Sequence, residues 1–444
     1  MYITLRGTPK QPANATDASP APASRAAKIA PTVLGLGTVS LLTDISSESV
    51  AAILPLYITV VVGLGPLAFG FIDGIYQGAG ALMRMAGGWW ADRSDRPKWV
   101  AVAGYGLSAV SRFALLVASG FWAITSIVAV DRLGKGLRTG PRDALIATAS
   151  PPEQLGRNFG VHRAMDTTGA LIGPLLAFAV LAMFPAGLSG YRTIFVFSCA
   201  FAVMGVAVLV LAVPDLRRSR NPASPGSDAV AAGSTRPRWS DLTRAPLRRL
   251  LIAAGILSLV TIGDGFIYLS LQDGDQIPVS FFPLLFVGTN FAYMALAVPM
   301  GKLADRVGRG RVFVGGYVLL LGCYLIAGFH LAGIAGLLLV LLLLGSFYAA
   351  TDGVLAALAS RLVPEASRAS GISAAQTVVA LARFGASVAF GVLWQFAGLE
   401  PAIIVMSAGL VVAIPTAWWL LRAGHRPDSD DAGVAVDAAP EASS

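Results

Sequence analysis

The sequence predicts an all-α polytopic membrane protein whose twelve transmembrane helices form two pseudo-symmetric six-helix bundles. Three observations carry that prediction. The 444 residues are 55% hydrophobic and 13% charged, about half the charge of an ordinary soluble domain, and their mean hydropathy is +0.69. Apolar runs of roughly 20 residues, enough to cross about 30 Å of hydrocarbon, recur along the chain. One charged turn also occurs twice, half a chain apart: Gly88-Trp89-Trp90-Ala91-Asp92-Arg93-Ser94-Asp95-Arg96-Pro97-Lys98 returns as Gly301-Lys302-Leu303-Ala304-Asp305-Arg306-Val307-Gly308-Arg309-Gly310-Arg311. In each copy an apolar run ends at the glycine, an Asp-Arg turn follows, and a new apolar run begins.

The runs place helices near Pro31–Val62, Leu67–Trp90, Trp99–Ser119, Trp122–Ala147, Phe159–Phe184 and Thr193–Val213. The second six lie near Leu247–Leu271, Phe281–Leu303, Val312–Phe329, Leu331–Leu362, Ala369–Phe396 and Ala402–Leu421. The expected organisation is a disordered tail (1–30), an N-terminal bundle (31–213), a basic linker (214–246), a C-terminal bundle (247–421) and a second tail (422–444). The first residues are rich in Pro, Ala, Ser and Thr and lack the apolar core of a signal peptide. The duplication extends beyond the turn. Asp143 parallels Asp352, Pro152-Glu153 parallels Pro364-Glu365, Arg157 parallels Arg368, and Asp44 loosely parallels Asp264. Same-direction repeats with an even number of helices imply parallel halves related by an axis along the membrane normal.

Charge sets the orientation. The linker holds Arg217, Arg218, Arg220, Arg236, Arg238, and Arg244. Loops on its side carry Arg93, Arg96, Lys98, Arg157, Lys302, Arg306, Arg309, Arg311, Arg361, Arg368 and Arg422. The opposite loops offer little beyond Arg192, and hold Asp273, Asp275 and Glu400. The positive-inside rule therefore puts both termini in the cytoplasm and the chain in the plasma (inner) membrane. This distribution of the formal +8 charge argues against nucleic acid as a partner. The two cysteines, Cys199 and Cys323, lie inside apolar runs and read as buried free thiols, not as a disulfide or a metal site.

The repeated turn, of general form G-x-x-x-D-R-x-G-R-[RK], resembles the signature of the major facilitator superfamily, with Asp95 standing where the pattern has Gly. Gly160, Gly169 and Gly173-Pro174 resemble that superfamily's antiporter motif, whose last two glycines are here Ala177-Phe178. Arg132-Leu133-Gly134-Lys135-Gly136-Leu137-Arg138 resembles its R-x-x-Q-G-x-G motif, with Lys135 for Gln and Arg138 for a small residue. The resemblance covers about Pro31 to Leu421. It implies a cavity between the halves, lined by the first, fourth, seventh and tenth helices, and transport by alternating access. It also makes Gly88, Asp92, Arg93 and Arg96 gate residues, with Asp305, Arg306 and Arg309 opposite. Asp92 is then expected to pair with Arg138 or Arg142 and latch the cytoplasmic side.

The chemistry concentrates in the N-terminal half. The fourth run holds Asp131, Arg132, Lys135, Arg138, Arg142 and Asp143. Each such charge costs about 2.5–3.5 kcal/mol at a bilayer centre, so these must face protein or water. Asp131, Lys135, Arg138 and Arg142 fall at i, i+4, i+7 and i+11, one stripe in which Asp131 can pair with Lys135. Arg132, Thr139 and Asp143 form an adjacent stripe. The functional reading makes Lys135 and Arg138 substrate or coupling contacts and Arg142 and Asp143 gate groups; the alternative is an interhelical ion-pair network. In the first run Asp44 and Glu48 lie one turn apart and, with Asp131, are candidate proton-coupling acids; a permanent salt bridge to the fourth helix is the competing role. Asp73, Gln77, Gly80 and Arg84 form an inward stripe on the second run. His162, Arg163 and Asp166 sit near one end of the fifth, with His162 read as a packing residue, and Arg112 on the third is expected to be paired. The other half contributes Asp264, Asp352 and Arg383 to the candidate cavity, with Asn290 and Gln376 nearby and Phe266, Tyr268, Tyr293, Phe347 and Tyr348 as an apolar wall.

The function these residues suggest is secondary transport of small organic molecules, by proton-coupled efflux (antiport). The alternative within the class is import or exchange of organic anions, which Lys135 and Arg138 would favour. A sensor built on the same bundle would want a soluble output domain. The chain has no H-E-x-x-H, G-x-S-x-G or G-x-x-x-x-G-K-[ST] pattern, so it does not read as an enzyme or an ATP-driven pump. The expected partners are a small-molecule substrate (anionic in the alternative), protons and the lipid bilayer, with no cofactor, the chain acting as a monomer.

Overall fold

The computed structural model describes residues 29–93, 96–184, 187–215, 244–274, 277–328, 333–364 and 367–422; within the second helix the side chains of 81–82 and 84–93 lie outside that description. Most of both tails and of the linker fall outside it. The described chain is helical and contains no strand. Twelve helical spans follow in order. In the first half they are α1 (Pro31–Ala51), α2 (Pro66–Arg93), α3 (Pro97–Val117), α4 (Phe121–Thr148), α5 (Leu155–Met183) and α6 (Leu188–Ala212). In the second they are α7 (Ala245–Leu259, then Asp264–Gly274), α8 (Phe282–Val307), α9 (Arg309–Gly328), α10 (Gly333–Arg361), α11 (Arg368–Ala397) and α12 (Leu399–Arg422). Ten of these spans are long and apolar enough to cross a membrane; α2 and α4, which carry intramembrane charge, fall outside that set.

Proline opens α1, α2 and α3, where its missing N–H and fixed φ cost nothing. The repeated turn is tightest between α8 and α9. There Gly308 alone connects the two helices at φ 110°, a conformation that favours glycine. Asp95, its counterpart, lies outside the described residues.

Two helices differ from the continuous runs expected. The first run breaks after Ala51 into a short turn, Leu54–Leu56, and a wide turn, Tyr57–Val61, closed by Val62 N donating to Tyr57 O at 2.9 Å. Pro55 is the cause, because it supplies no N–H to the ladder. The seventh run breaks at 260–263. The freed backbone groups there are satisfied by Tyr324 of α9, whose hydroxyl accepts from Ile262 N at 2.6 Å and donates to Val260 O at 3.2 Å. A broken helix inside a membrane protein survives only when buried partners do this.

Each half packs the same way. In the first, α1 packs on α5 and α6, α4 on α2 and α3, and α3 on α6. In the second, α7 packs on α11 and α12, α10 on α8 and α9, and α9 on α12. Adding six to every number of the first set yields the second, which is the pseudo-symmetry the duplicated turn implies. The halves meet where α2 lies against α11 and where α5 lies against α8 and the turn before it. These contacts sit toward the end of the bundle away from the linker. A Cβ on Gly391 would fall 2.7 Å from Pro66 O, one on Gly74 would fall 2.9 Å from the Phe384 ring, and Phe178 stacks near Phe281 at 5.4 Å.

The closest packing in the first half joins α1 to α5. A Cβ on Gly169 would meet Leu41 O, and one on Gly173 would lie 2.8 Å from Ser49 N and 3.0 Å from Glu48 Cβ. Two of the antiporter-motif glycines thus let the backbones touch, as small residues four apart do in membranes. Gly160 has open space around it, and α5 runs through Pro174 without interruption. Gly173→Leu is expected to overpack this seam by about 1–3 kcal/mol and to lower the thermal midpoint of the purified protein, whereas Gly160→Ala leaves it unchanged. Equal midpoints for wild type and Gly173→Leu would contradict this packing.

Candidate substrate and coupling site

The site is built on α4, and its position follows from glycine. A Cβ on Gly134 would fall 2.8 Å from Gly104 O of α3, and one on Gly104 would fall 2.8 Å from Arg138 N. This near-contact of backbones carries the α3 arginine to the α4 aspartate. Asp131 accepts from Arg112 at 2.7 Å and from Arg132 at 2.7 Å, with all three side chains 8% exposed or less. Ser111 adds a 3.5 Å hydrogen bond to Asp131, and the Arg132 guanidinium lies 3.8 Å over the Tyr76 ring of α2. The expected pairing of Asp131 with Lys135 is therefore replaced. Arg112, which lacked an explanation beyond pairing in general, has Asp131 as its partner.

One turn along α4 the character changes. Lys135 reaches Glu48 at 3.2 Å and Asp44 at 4.0 Å, and its side chain remains 36% exposed, with Glu48 at 22%. Arg138 reaches Asp44 at 3.5 Å and stacks 4.4 Å over the Tyr105 ring, fully inside the bundle. Asp44 also faces Asp166 of α5. Arg142 pairs with its neighbour Asp143 at 3.0 Å and lies 3.7 Å from Asp166, which Arg163 approaches at 3.3 Å. Acid and base thus alternate along the seam of α1, α4 and α5: Glu48, Lys135, Asp44, Arg138, then Asp166 and Arg142. Charge of either sign in this seam has an opposite neighbour, as burial requires. His162 is buried and shares a 2.9 Å hydrogen bond with Ser40, in keeping with a packing role.

A second cluster belongs to the other half. Tyr348 of α10 donates to Asp264 at 2.5 Å, and Arg383 of α11 lies 5.5 Å over the Tyr348 ring. Asp352, one turn from Tyr348, is exposed although it lies well inside α10, and Arg383 and Arg163 both act on its charge. A carboxylate at that depth has to be hydrated, so it faces the gap between the halves. Asp73 of α2 does not stay with the first half's cluster. It accepts from Ser387 of α11 at 2.6 Å and abuts Gly263 in the break of α7, with Gln77 one turn along its own helix. Gly80 lies against the Arg132 carbonyl, while Arg84's side chain is outside the described residues.

The expected gate is described only in part. Gly88 and the side chains of Asp92 and Arg93 lie outside the described residues, and with them the expected pairing of Asp92 with Arg138 or Arg142; those two arginines hold Asp44, Asp143 and Asp166. Arg96 and Arg306 are exposed. In the second copy Arg309 closes on Asp305 at 2.8 Å and donates to Ala357 O of α10 at 3.4 Å, which ties α8, α9 and α10 within one half.

Sequence reasoning missed Tyr76, Tyr105 and Ser387, and set Asp166 aside. Aromatic residues beneath arginines and a serine one helix away leave no periodic signal; only the i+4 relation of Tyr76 to Gly80 and of Tyr105 to Ala109 marks their faces. Tyr348, read as apolar wall, proves a hydrogen-bond donor.

Removing one partner of a buried ion pair leaves the other uncompensated, at a cost of about 3–5 kcal/mol. Asp131→Asn strands two arginines and is expected to lower the thermal midpoint well below that of Glu48→Gln, whose lysine can turn to water and to Asp44. A smaller loss for Asp131→Asn than for Glu48→Gln would reverse this assignment.

Comparison with known proteins agrees with the geometry. The description of the Major Facilitator Superfamily matches residues 36–283 and 266–440. The chain is 28% identical over 386 residues to an uncharacterized MFS-type transporter of Methanocaldococcus jannaschii, covering 85% of this chain and 93% of that one. It is 35% identical over 148 residues, a third of its length, to an uncharacterized protein of Mycobacterium tuberculosis. Among solved structures, the nucleoside transporter NupG superposes with a TM-score of 0.71 at 14% identity, over 88% of this chain and 99% of that one. A bacterial homolog of the human lysosomal transporter Spinster, inward-facing and unoccupied, superposes with 0.69 at 15% identity, over 88% and 96%. A POT family transporter in complex with 5-aminolevulinic acid superposes with 0.70 at 13% identity, over 89% and 96%. Twelve spans, two halves packed alike, a doubled Asp-Arg turn and a matching family description together establish that this chain belongs to the Major Facilitator Superfamily.

Proposed function

We propose that this transporter couples the movement of a small organic molecule to protons, exporting it by antiport across the plasma membrane with both termini in the cytoplasm. The observation that carries the reading is Lys135. It is shared between Glu48 and Asp44, keeps its side chain 36% exposed, and sits beside a carboxylate, Asp44, that faces a second carboxylate, Asp166. Two carboxylates facing one another repel, which favours a proton on one of them. Protonation of Glu48 or Asp44 frees Lys135 and Arg138, and deprotonation recaptures them, so proton load and cavity charge change together. Asp131, locked between Arg112 and Arg132, serves in this scheme as the brace that holds α3 to α4 and not as a coupling acid. Arg132 braces with it, while Lys135, Arg138, Asp264, Asp352 and Arg383 face or border the substrate path. Arg142 and Asp143 with the two Asp-Arg turns form the gate at the linker end.

A second reading, exchange of organic anions, is favoured by one observation: Arg163 keeps its side chain 71% exposed, and its charge acts on Asp352 and Tyr293 of the other half. A ligand-stabilisation screen of organic anions, cations and neutral solutes at two pH values separates the readings. With the ligand so found, pH-driven flux into proteoliposomes is expected to vanish in Asp44→Asn/Glu48→Gln while counterflow persists. Unchanged pH-driven flux in that variant overturns proton coupling through these acids.

Asp73 and Ser387 are proposed as a latch at the end away from the linker, since theirs is a hydrogen bond between the halves. Ser387→Ala is expected to raise hydrogen exchange in the first turns of α2 and the last turns of α11, by favouring the state open at that end. Unaltered exchange there would remove the latch.

A further inference from the structure

The two halves differ at one place where their symmetry predicts likeness. Lys98 and Arg311 occupy the same position in the two copies of the turn. Lys98 is buried and donates to Val210 O at 2.8 Å and Val213 O at 2.6 Å, so it caps the last carbonyls of α6 and closes the first half over Leu209 and Val213. Arg311 does neither. It is exposed and donates to Val307 O of the preceding turn at 3.3 Å, and among the described residues the space beside it is a groove of about 850 Å³ between α7, α8, α9, α10 and α12. That volume lies within the range of small-molecule sites, about 300–1,000 Å³.

The lining divides into two kinds of surface. Among the described residues the lining carries Arg309, Arg311, Arg361 and Arg422 with one acid, Asp305, which Arg309 pairs. Its floor includes Leu250, Leu358, Leu421 and Trp418, with the Arg422 guanidinium stacked 4.4 Å over the Trp418 ring. Guanidinium forks match phosphate oxygens in pairs. A phosphate ligand with no apolar part would leave the leucine and tryptophan floor wet. The groove also lies at helix ends, where a bilayer places its headgroups.

We propose that this groove binds an anionic phospholipid, its phosphodiester held by Arg311, Arg361 and Arg422 and its glycerol and upper acyl segments laid on the Trp418 and Leu421 floor. Basic recesses between transmembrane helices on the positively charged side are suited to such headgroups. The lipid fills in the second half the place that the Lys98 clasp fills in the first, so the lipid ties α12 to α9 and α10 from outside the chain.

The test uses the full-length chain in a neutral detergent, titrated with fluorescent phosphatidylglycerol. Wild type and Arg248→Gln, which removes an equal kind of charge from an exposed site outside the groove lining, are expected to bind alike. Arg311→Gln/Arg361→Gln is expected to bind about tenfold more weakly or worse, the scale of two lost arginine contacts. Arg422→Gln, a single exposed change, is expected to weaken binding in the same direction if the double variant does not fold. Undiminished binding in the folded variants, or equal affinity for phosphatidylcholine, overturns the proposal. Competition by glycerol phosphate at concentrations similar to the lipid also overturns it, because the site would then take a soluble phosphate.

Discussion

Ion pairing inside an oily helix bundle is the constraint on which the rest of this protein depends. α4 carries too much charge to lie against lipid, so every element around it is arranged to supply opposite charge or an aromatic face. α3 supplies Arg112, α1 supplies Asp44 and Glu48, α5 supplies Asp166, and α2 and α3 lay Tyr76 and Tyr105 beneath guanidiniums. Glycine makes this possible, because only backbones in contact bring short acids within reach of arginines on the next helix.

The pairing is graded along the helix. At Asp131 it is sealed, with two arginines and a serine converging on one carboxylate. At Lys135 it is looser and partly hydrated, and two acids compete for one ammonium. A sealed cluster holds helices in place, while a hydrated one can change its proton count without unfolding the bundle. That gradient, and not the number of charges, separates the structural end of α4 from the part proposed to do the coupling.

The second half reaches a similar outcome by different means. It has fewer charges, and it uses a broken α7, a tyrosine that closes the break and another that binds Asp264. Asp73 reaches over from α2 into that break. The two halves share a packing plan but not a polar plan. The open arginine groove at the linker end of the second half is a further case: the same position in the turn holds a clasp in one half and lines a recess in the other.

Much of this architecture is legible in the chain itself. Run length and hydropathy decide that the helices cross a membrane, and the doubled Asp-Arg turn decides that there are two halves, because both depend on residues near one another in sequence. Spacing also showed that the α4 charges lie on inward faces. It could not choose their partners. Asp131 sits one helical turn from Lys135, yet it binds Arg112, nineteen positions away, because Gly104 and Gly134 bring α3 closer than the next turn of its own helix can offer. Asp73, read as part of an inward polar stripe on the second run, is bound by Ser387, 314 positions away. The chain alone determined which groups must be buried and neutralised; the tertiary structure decided who neutralises whom, since that depends on the distance between helices, which local periodicity does not encode.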